Sequence, residues 1–262
     1  MVDDPEIVPL RAFNDNYIWL LRRNDSAVVV DPGDAAPVTA YLDAHQLTLS
    51  AILVTHHHGD HIGGIKTLLA RREVPVFGPS SEEIATVNRP LADGDRVELP
   101  QLDASFDVLA VPGHTRGHIV YYGRNIHSCG VLFCGDTLFA CGCGRVIEGT
   151  PQQMWRSLAR LAALPGATRV YCAHEYTQAN INFALAVEPD NAALQARAAE
   201  VARLRAADQA TVPSTVSAEL ATNPFLRWDA PAVIAAASRL TGTPPATPDA
   251  VFAAIREWKN RF

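Results

Sequence analysis

The residues best equipped for chemistry crowd into ILVTHHHGDHIGG, residues 52–64, where four histidines and an aspartate fall within six positions. His56, His58, Asp60 and His61 spell H-x-H-x-D-H. In extended backbone, residues two apart point to the same side, so His56 and His58 can share one ion. The chain then turns, and Asp60 with His61 can face a second position. Neutral imidazole and carboxylate suit zinc, iron or manganese. A histidine-rich surface loop would use the same letters, so the weight falls on three later segments. VPGHTRGH sets His114 in a Pro-Gly turn after an apolar run, LFCGDT ends such a run in Asp136, and VYCAHEY ends another near His174. Three apolar runs that each finish in a ligand-type residue, alongside H-x-H-x-D-H, make a polydentate metal site the reading. A lone histidine after a strand more often makes a structural hydrogen bond, and His45, His118 and His127 are read that way. His57, on the opposite side from its neighbours, is read as structural too. Asp31, closing VVVD, either orients a ligand through a hydrogen bond or simply forms the turn before Pro32-Gly33.

Such residues need strands that end on a common rim. From Ile18 to about Tyr176 the sequence alternates short β-branched runs with helical patterns. SAVVVDPGD reads as a strand ending in a turn, AILVT as a second strand, and PVFGP, DVLAVPGH, HIVYYG, VLFCGDT and RVYCAHEY as further strand-like runs. Ala35 to His45 reads as a helix, HIGGIKTLLARR as the motif running on into another, and TPQQMWRSLARLAAL as an amphipathic helix that Thr150 can cap. After Tyr176 the text becomes Ala-rich and helical, with Leu194, Val201 and Leu204 on one stripe, TNPFLRW as a turn, and TPDAVFAAIREWKNRF as a last helix. The expectation is a layered α/β catalytic domain over residues 1–176 and an α-helical domain over residues 177–262.

Composition narrows the class. The chain has 262 residues, 48% hydrophobic and 19% charged, enough for a substantial core. A net charge of −6 speaks against a nucleic-acid surface, which needs clustered positive charge. No apolar run approaches the roughly 20 residues a membrane span requires. The acidic start, with Pro5 and Pro9, does not read as a secretory leader, and five cysteines, an odd number, fit free thiols in a reducing compartment. The expected location is the cytoplasm.

The segments NDNYIW, VVVDPGD, THHHGDHIGG, PGHTRGH, GDTLF, GCGR, AHEYT, NPF and REWKNRF, spread along nearly the whole chain, resemble those of the metallo-β-lactamase superfamily, and within it the hydroxyacylglutathione hydrolase (glyoxalase II) family. The resemblance implies a metallo-β-lactamase-type αββα sandwich with a C-terminal α-helical domain. It implies two divalent metal ions, zinc first, with iron or manganese as alternatives. His56, His58 and His114 would hold one and Asp60, His61 and His174 the other, with Asp136 and a water or hydroxide bridging them. Asp60 and Asp136 would also position the attacking oxygen.

The implied substrate is a small-molecule glutathione thioester such as S-D-lactoylglutathione, split to glutathione and D-lactate in methylglyoxal detoxification. The chemistry fits, because a departing thiolate, whose conjugate acid titrates near 8.5, needs little help from a general acid. Glutathione carries two carboxylates, and the resemblance assigns its contacts to Arg145, Tyr176, Arg256 and Lys259. On the helix alone, Arg256 and Lys259 at i, i+3 would be read as complementing the helix dipole. Ile147 stands where the family often has an aromatic and is expected to alter one wall of that site, and Cys141 stands where small residues usually sit. The expected state is a monomer without nucleic-acid or membrane partners. The alternative within the fold is a persulfide dioxygenase-like iron oxidoreductase, which the complete ligand set and the R-x-x-K ending disfavour.

Overall fold

A computed structural model describes residues 4–262, which divide into two compact units, residues 4–110 with Arg116–Gly135, and Val111–Thr115 with Asp136–Phe262. The first unit holds strands β1 (Glu6–Ala12), β2 (Asn16–Arg23) and β3 (Ser26–Val30), helix α1 (Ala35–Ala44), and β4 (Thr48–Leu53). It continues with α2 (Gly59–Ile62), α3 (Ile65–Arg71), β5 (Val76–Pro79), β6 (Arg89–Leu91), β7 (Arg96–Leu99), β8 (Ala104–Ala110), β9 (Ile119–Gly123) and β10 (Val131–Gly135).

One sheet runs β1-β2-β3-β4-β5-β6, antiparallel through β3 and parallel from there on. Parallel strands carry their C-terminal ends to one edge, where α/β proteins place functional loops. Here that edge receives Asp31 after β3 and the histidine motif after β4. The Asp31 amide donates to the Leu53 carbonyl at 2.9 Å, tying the two exits together. The apolar face made by Leu20, Val29 and Ile52 is covered by Val38 and Leu42 of α1 and Ile65 and Leu68 of α3. β7 to β10 form an antiparallel meander whose Phe106 and Phe133 rings meet at 5.8 Å. From β9, the buried Tyr121 hydroxyl donates to the Val54 carbonyl at 2.8 Å.

The Gly63-Gly64 pair separates α3 from the single turn α2 that holds Asp60 and His61. A Cβ at Gly64 would lie 2.7 Å from the Pro32 carbonyl oxygen and press on the Asp34–Ala35 backbone, so this pair is where the chain passes against the β3–α1 turn.

The second unit contains the short hairpin β11 (Leu138–Phe139) and β12 (Gly142–Cys143), α4 (Pro151–Ala162), β13 (Arg169–Cys172), α5 (Thr177–Val187) and α6 (Ala192–Ala206). β14 (Ser214–Thr215), α7 (Val216–Thr222), α8 (Pro231–Thr241) and α9 (Pro248–Arg261) complete it. The Thr150 and Gln153 side chains make a reciprocal capping box at the start of α4. α6 starts on an Asn191 cap and buries Leu194 and Val201 against Ile181 and Ala184 of α5, while Leu204 lies half-buried. α8 was not separately expected. It starts on Pro231 and stops at Gly242, whose φ of 77° is the left-handed turn glycine supplies most readily.

Candidate functional site

In the first unit the site is built on one buried carboxylate. Asp31 takes a left-handed backbone, φ 51°, costing about 1–2 kcal/mol for an L-residue. Its Oδ1 accepts from the Thr55 amide at 2.7 Å, and its Oδ2 accepts from the Thr55 hydroxyl at 2.7 Å and His61 Nδ1 at 3.0 Å. Hydrogen bonds to a charged group are worth about 1.5–3 kcal/mol each, so three of them outweigh the strain. Asp31 thus both closes the turn, its carbonyl accepting from the Gly33 amide at 2.8 Å, and holds the His61 ring by a hydrogen bond.

These bonds decide which ring nitrogens carry the lone pairs. A carboxylate only accepts, so His61 Nδ1 carries the proton and Nε2 the lone pair. Thr55 spends its hydroxyl proton on Asp31, so its oxygen, 3.0 Å from His56 Nδ1, accepts from that nitrogen. His56 Nε2 is then also a lone-pair donor, and it lies 3.1 Å from His58 Nδ1. The His56 ring sits 4.1 Å from that of His61, centroid to centroid. Asp60, in the first turn of α2, brings Oδ2 to 3.5 Å from His61 Nε2 while accepting from Asn16 Nδ2 at 3.0 Å. His57 points elsewhere, its Nδ1 donating to Glu82 at 2.9 Å, and Glu82 also accepts from the Gly117 amide at 3.1 Å. The His118 ring stacks on His56 at 4.7 Å.

In the second unit the geometry converges on Asp136, which follows β10 directly. Its Oδ2 is 3.4 Å from His114 Nε2, and its Oδ1 is 3.3 Å from His174 Nε2. His114 Nδ1 lies 2.9 Å from the Arg145 carbonyl and therefore donates, leaving the Nε2 lone pair facing a carboxylate oxygen. Acceptor facing acceptor is an approach that a cation between them relieves. Each carboxylate oxygen meets a different imidazole. The donor set of nitrogen and oxygen atoms, the fixed tautomers and the buried rings therefore fit divalent metal ions. Gly144 allows this closeness, because a Cβ there would overlap the Asp136 carbonyl oxygen. The Tyr176 ring lies parallel to His174 at 4.7 Å, 5° between planes, with Phe139 edge-on to both.

A cavity of about 520 Å³ in this unit is lined by Asp136 and His114 together with Arg145, Tyr176, Arg256 and Lys259. All four residues expected to contact substrate thus share one cavity with two of the expected metal ligands. Arg256 is only 6% exposed, donates to the Cys143 carbonyl at 3.1 Å and lies over the Phe225 ring at 5.1 Å. It forms no ion pair among the described residues, and its buried Nε has no hydrogen-bond partner there. Lys259 Nζ donates to the Ala179 carbonyl at 3.1 Å. Burial, and then the Arg256 charge, pull its pKa down to about 8. Two adjacent, partly desolvated cations without an acid are costly alone and favour an anionic ligand. Ile147 is exposed and is not part of this cavity's lining.

The cysteines play no part in the donor clusters among the described residues. None of the five is in a disulfide, and burial pushes the Cys141 and Cys172 thiols up to about 12, so they stay protonated. Sequence reasoning missed Thr55, Glu82 and Asn16, whose roles rest on partners 24 to 44 residues away. Only Thr55 carried a local hint, its place directly before the motif.

Comparison with known proteins places this geometry in context. Residues 12–174 match the profile of the metallo-β-lactamase superfamily, and residues 175–262 match that described as the hydroxyacylglutathione hydrolase C-terminus. The hydroxyacylglutathione hydrolase of Nitrosomonas europaea is 52% identical over 256 residues, covering 98% of this chain and 96% of that protein. That of Pseudomonas aeruginosa PAO1 is 55% identical over 260 residues, covering 98% and 99%. Among solved structures, ETHE1 from Myxococcus xanthus is 30% identical with a TM-score of 0.56, covering 66% of this chain and 76% of that one. TTHA1623 in a di-iron-bound form is 26% identical with a TM-score of 0.58, covering 84% and 100%.

Proposed function

The chain belongs to the hydroxyacylglutathione hydrolase family of the metallo-β-lactamase superfamily, and from that premise we propose that it hydrolyses S-(2-hydroxyacyl)glutathione, S-D-lactoylglutathione first, to glutathione and a 2-hydroxy acid. It is a thioester hydrolase, and its donor clusters suggest a binuclear metal site. Our reading assigns His56, His58 and His114 to one ion, Asp60, His61 and His174 to the other, and Asp136 to both, with zinc as the first candidate. Divalent cations held there supply Lewis acidity for the thioester carbonyl and bring water within reach of ionisation near neutral pH.

The chain's own residues do the rest. Asp31, through Thr55 and His61, holds two imidazoles with Nε2 presented, so the ligand set needs no rearrangement. Asp60 and Asp136 position the attacking water. Arg256 and Lys259 take a carboxylate of the tripeptide, Arg145 adds a third cation, and Tyr176 offers its ring face to the peptide. The thiolate leaves without a donated proton, and the cavity lining supplies no carboxylic acid beyond Asp136. Free cysteines support a cytoplasmic setting, no helix among the described residues is long and apolar enough to cross a membrane, and a monomer suffices for the proposed site.

The observation that carries this reading is the buried, carboxylate-free Arg256 beside Lys259 in the cavity that Asp136 and His114 line. Removing Arg256 deletes an interaction with a part of the substrate that does not react, so Arg256→Ala should raise KM for S-D-lactoylglutathione about tenfold or more with kcat little changed. An unchanged KM would remove the cation pair from the binding account.

A further inference from the structure

The hairpin β11–β12 occupies a pivotal place in the cavity wall. It follows Asp136, carries Phe139 against His174 and Tyr176, and ends in Cys143, whose carbonyl accepts from Arg256. Yet the hairpin is only two residues per strand, and its turn holds Cys141 at φ 55°, a left-handed conformation unfavourable for any residue with a Cβ. A two-stranded ribbon of this length has no stability of its own. Its shape must come from outside.

It comes from three polar side chains of the helical segments. Glu219, in α7 and 1% exposed, accepts from the Cys141 amide at 2.8 Å through Oε2. The same oxygen accepts from Asn223 Nδ2 at 2.9 Å. Asn223 is fully buried, and its Nδ2 faces the Gly142 carbonyl at 2.9 Å and the Phe139 carbonyl at 3.2 Å. Asn180 of α5 donates to the Ala140 carbonyl at 3.1 Å, and Gly142 leaves room for that carboxamide where a Cβ would collide with it. The backbone of residues 139–142 is thus read, group by group, by side chains remote in sequence. A buried carboxylate is an expensive way to hold a loop unless the loop's position matters.

We infer that Glu219 and Asn223 are positioning residues of the substrate cavity, fixing the β11–β12 hairpin so that Phe139 and the Cys143–Arg256 contact stand where the glutathione moiety binds. They touch no reacting atom. The inference rests on the proposed function for the identity of the ligand, and on geometry alone for the clamp.

Three variants separate positioning from bulk stability. Glu219→Ala removes the shared acceptor, Glu219→Gln keeps a carbonyl oxygen able to accept both bonds, and Asn223→Asp turns a donor into an acceptor facing two carbonyls and a carboxylate. Each is assayed for kcat and KM on S-D-lactoylglutathione, for the calorimetric Kd of glutathione, for bound metal by elemental analysis, and for fold by circular dichroism. The expected result for Glu219→Ala is KM and Kd both raised about tenfold, kcat within about threefold of the parent and metal content unchanged. Glu219→Gln should return KM to within about threefold of the parent, and Asn223→Asp should raise it more than Glu219→Ala does.

A folded, metal-replete Glu219→Ala with parental KM and Kd would overturn the inference. So would equal losses of kcat in the Ala and Gln variants at unchanged KM. Failure of the underlying functional reading shows itself separately, as a parent protein that neither hydrolyses the thioester nor binds glutathione. A parent that binds glutathione without hydrolysing it leaves the Kd comparison as the deciding measurement.

Discussion

Lys259 lies beside Arg256 in the cavity that Asp136 and His114 line. Burial and the neighbouring Arg256 lower its pKa to about 8, so it is charged at pH 7 and loses its proton as pH rises through 8. If the ammonium takes a substrate carboxylate, KM should be lowest below pH 7.5 and rise about fivefold to tenfold by pH 9, from a neutralised partner. Lys259→Arg, always charged, should flatten that rise, and a KM profile identical in both proteins would contradict the assignment. The same scale shows what the sequence disclosed. His56, His58, Asp60 and His61 are legible because their spacing is local. The relay that sets their tautomers is not, because Asp31 meets Thr55 and His61 across 24 and 30 residues. That Arg256 and Lys259 share a cavity with Asp136 and His114 was signalled only by resemblance, since on a final helical turn their charge has an ordinary explanation.

At the scale of elements, the strands that feed the site were readable from β-branched runs, and α4 from its Thr150 cap. The one-turn helix α2 inside the motif was not, because it answers to a tertiary contact. A Cβ at Gly33 would overlap the backbone carbonyl of Asp60, so the β3–α1 turn and α2 touch through bare backbone. Gly33→Ala should therefore push α2 off its seat and displace Asp60 and His61 together. The expected readout is at least a tenfold loss of metal affinity in competition with a chromogenic chelator, with far-ultraviolet circular dichroism retained. Unchanged affinity would show that the loop absorbs the methyl elsewhere. The hairpin β11–β12 escaped notice for a related reason. Two strands of two residues each, Leu138–Phe139 and Gly142–Cys143, carry no periodicity, and the hairpin backbone is held by Glu219 and Asn223 from 78 to 84 residues away.

At the scale of the molecule, ligands drawn from residues 56 to 174 and cations from a helix ending at residue 261 serve a single reaction in the proposed account. The most direct test follows S-D-lactoylglutathione hydrolysis by loss of thioester absorbance in the protein as isolated, after metal removal with a chelator, and after restoring zinc, iron or manganese. The account predicts turnover that falls at least a hundredfold on chelation and returns with added divalent metal, about two ions bound per chain at full activity. Turnover unaffected by complete metal removal, or none with any metal in a folded, metal-replete protein, would contradict it.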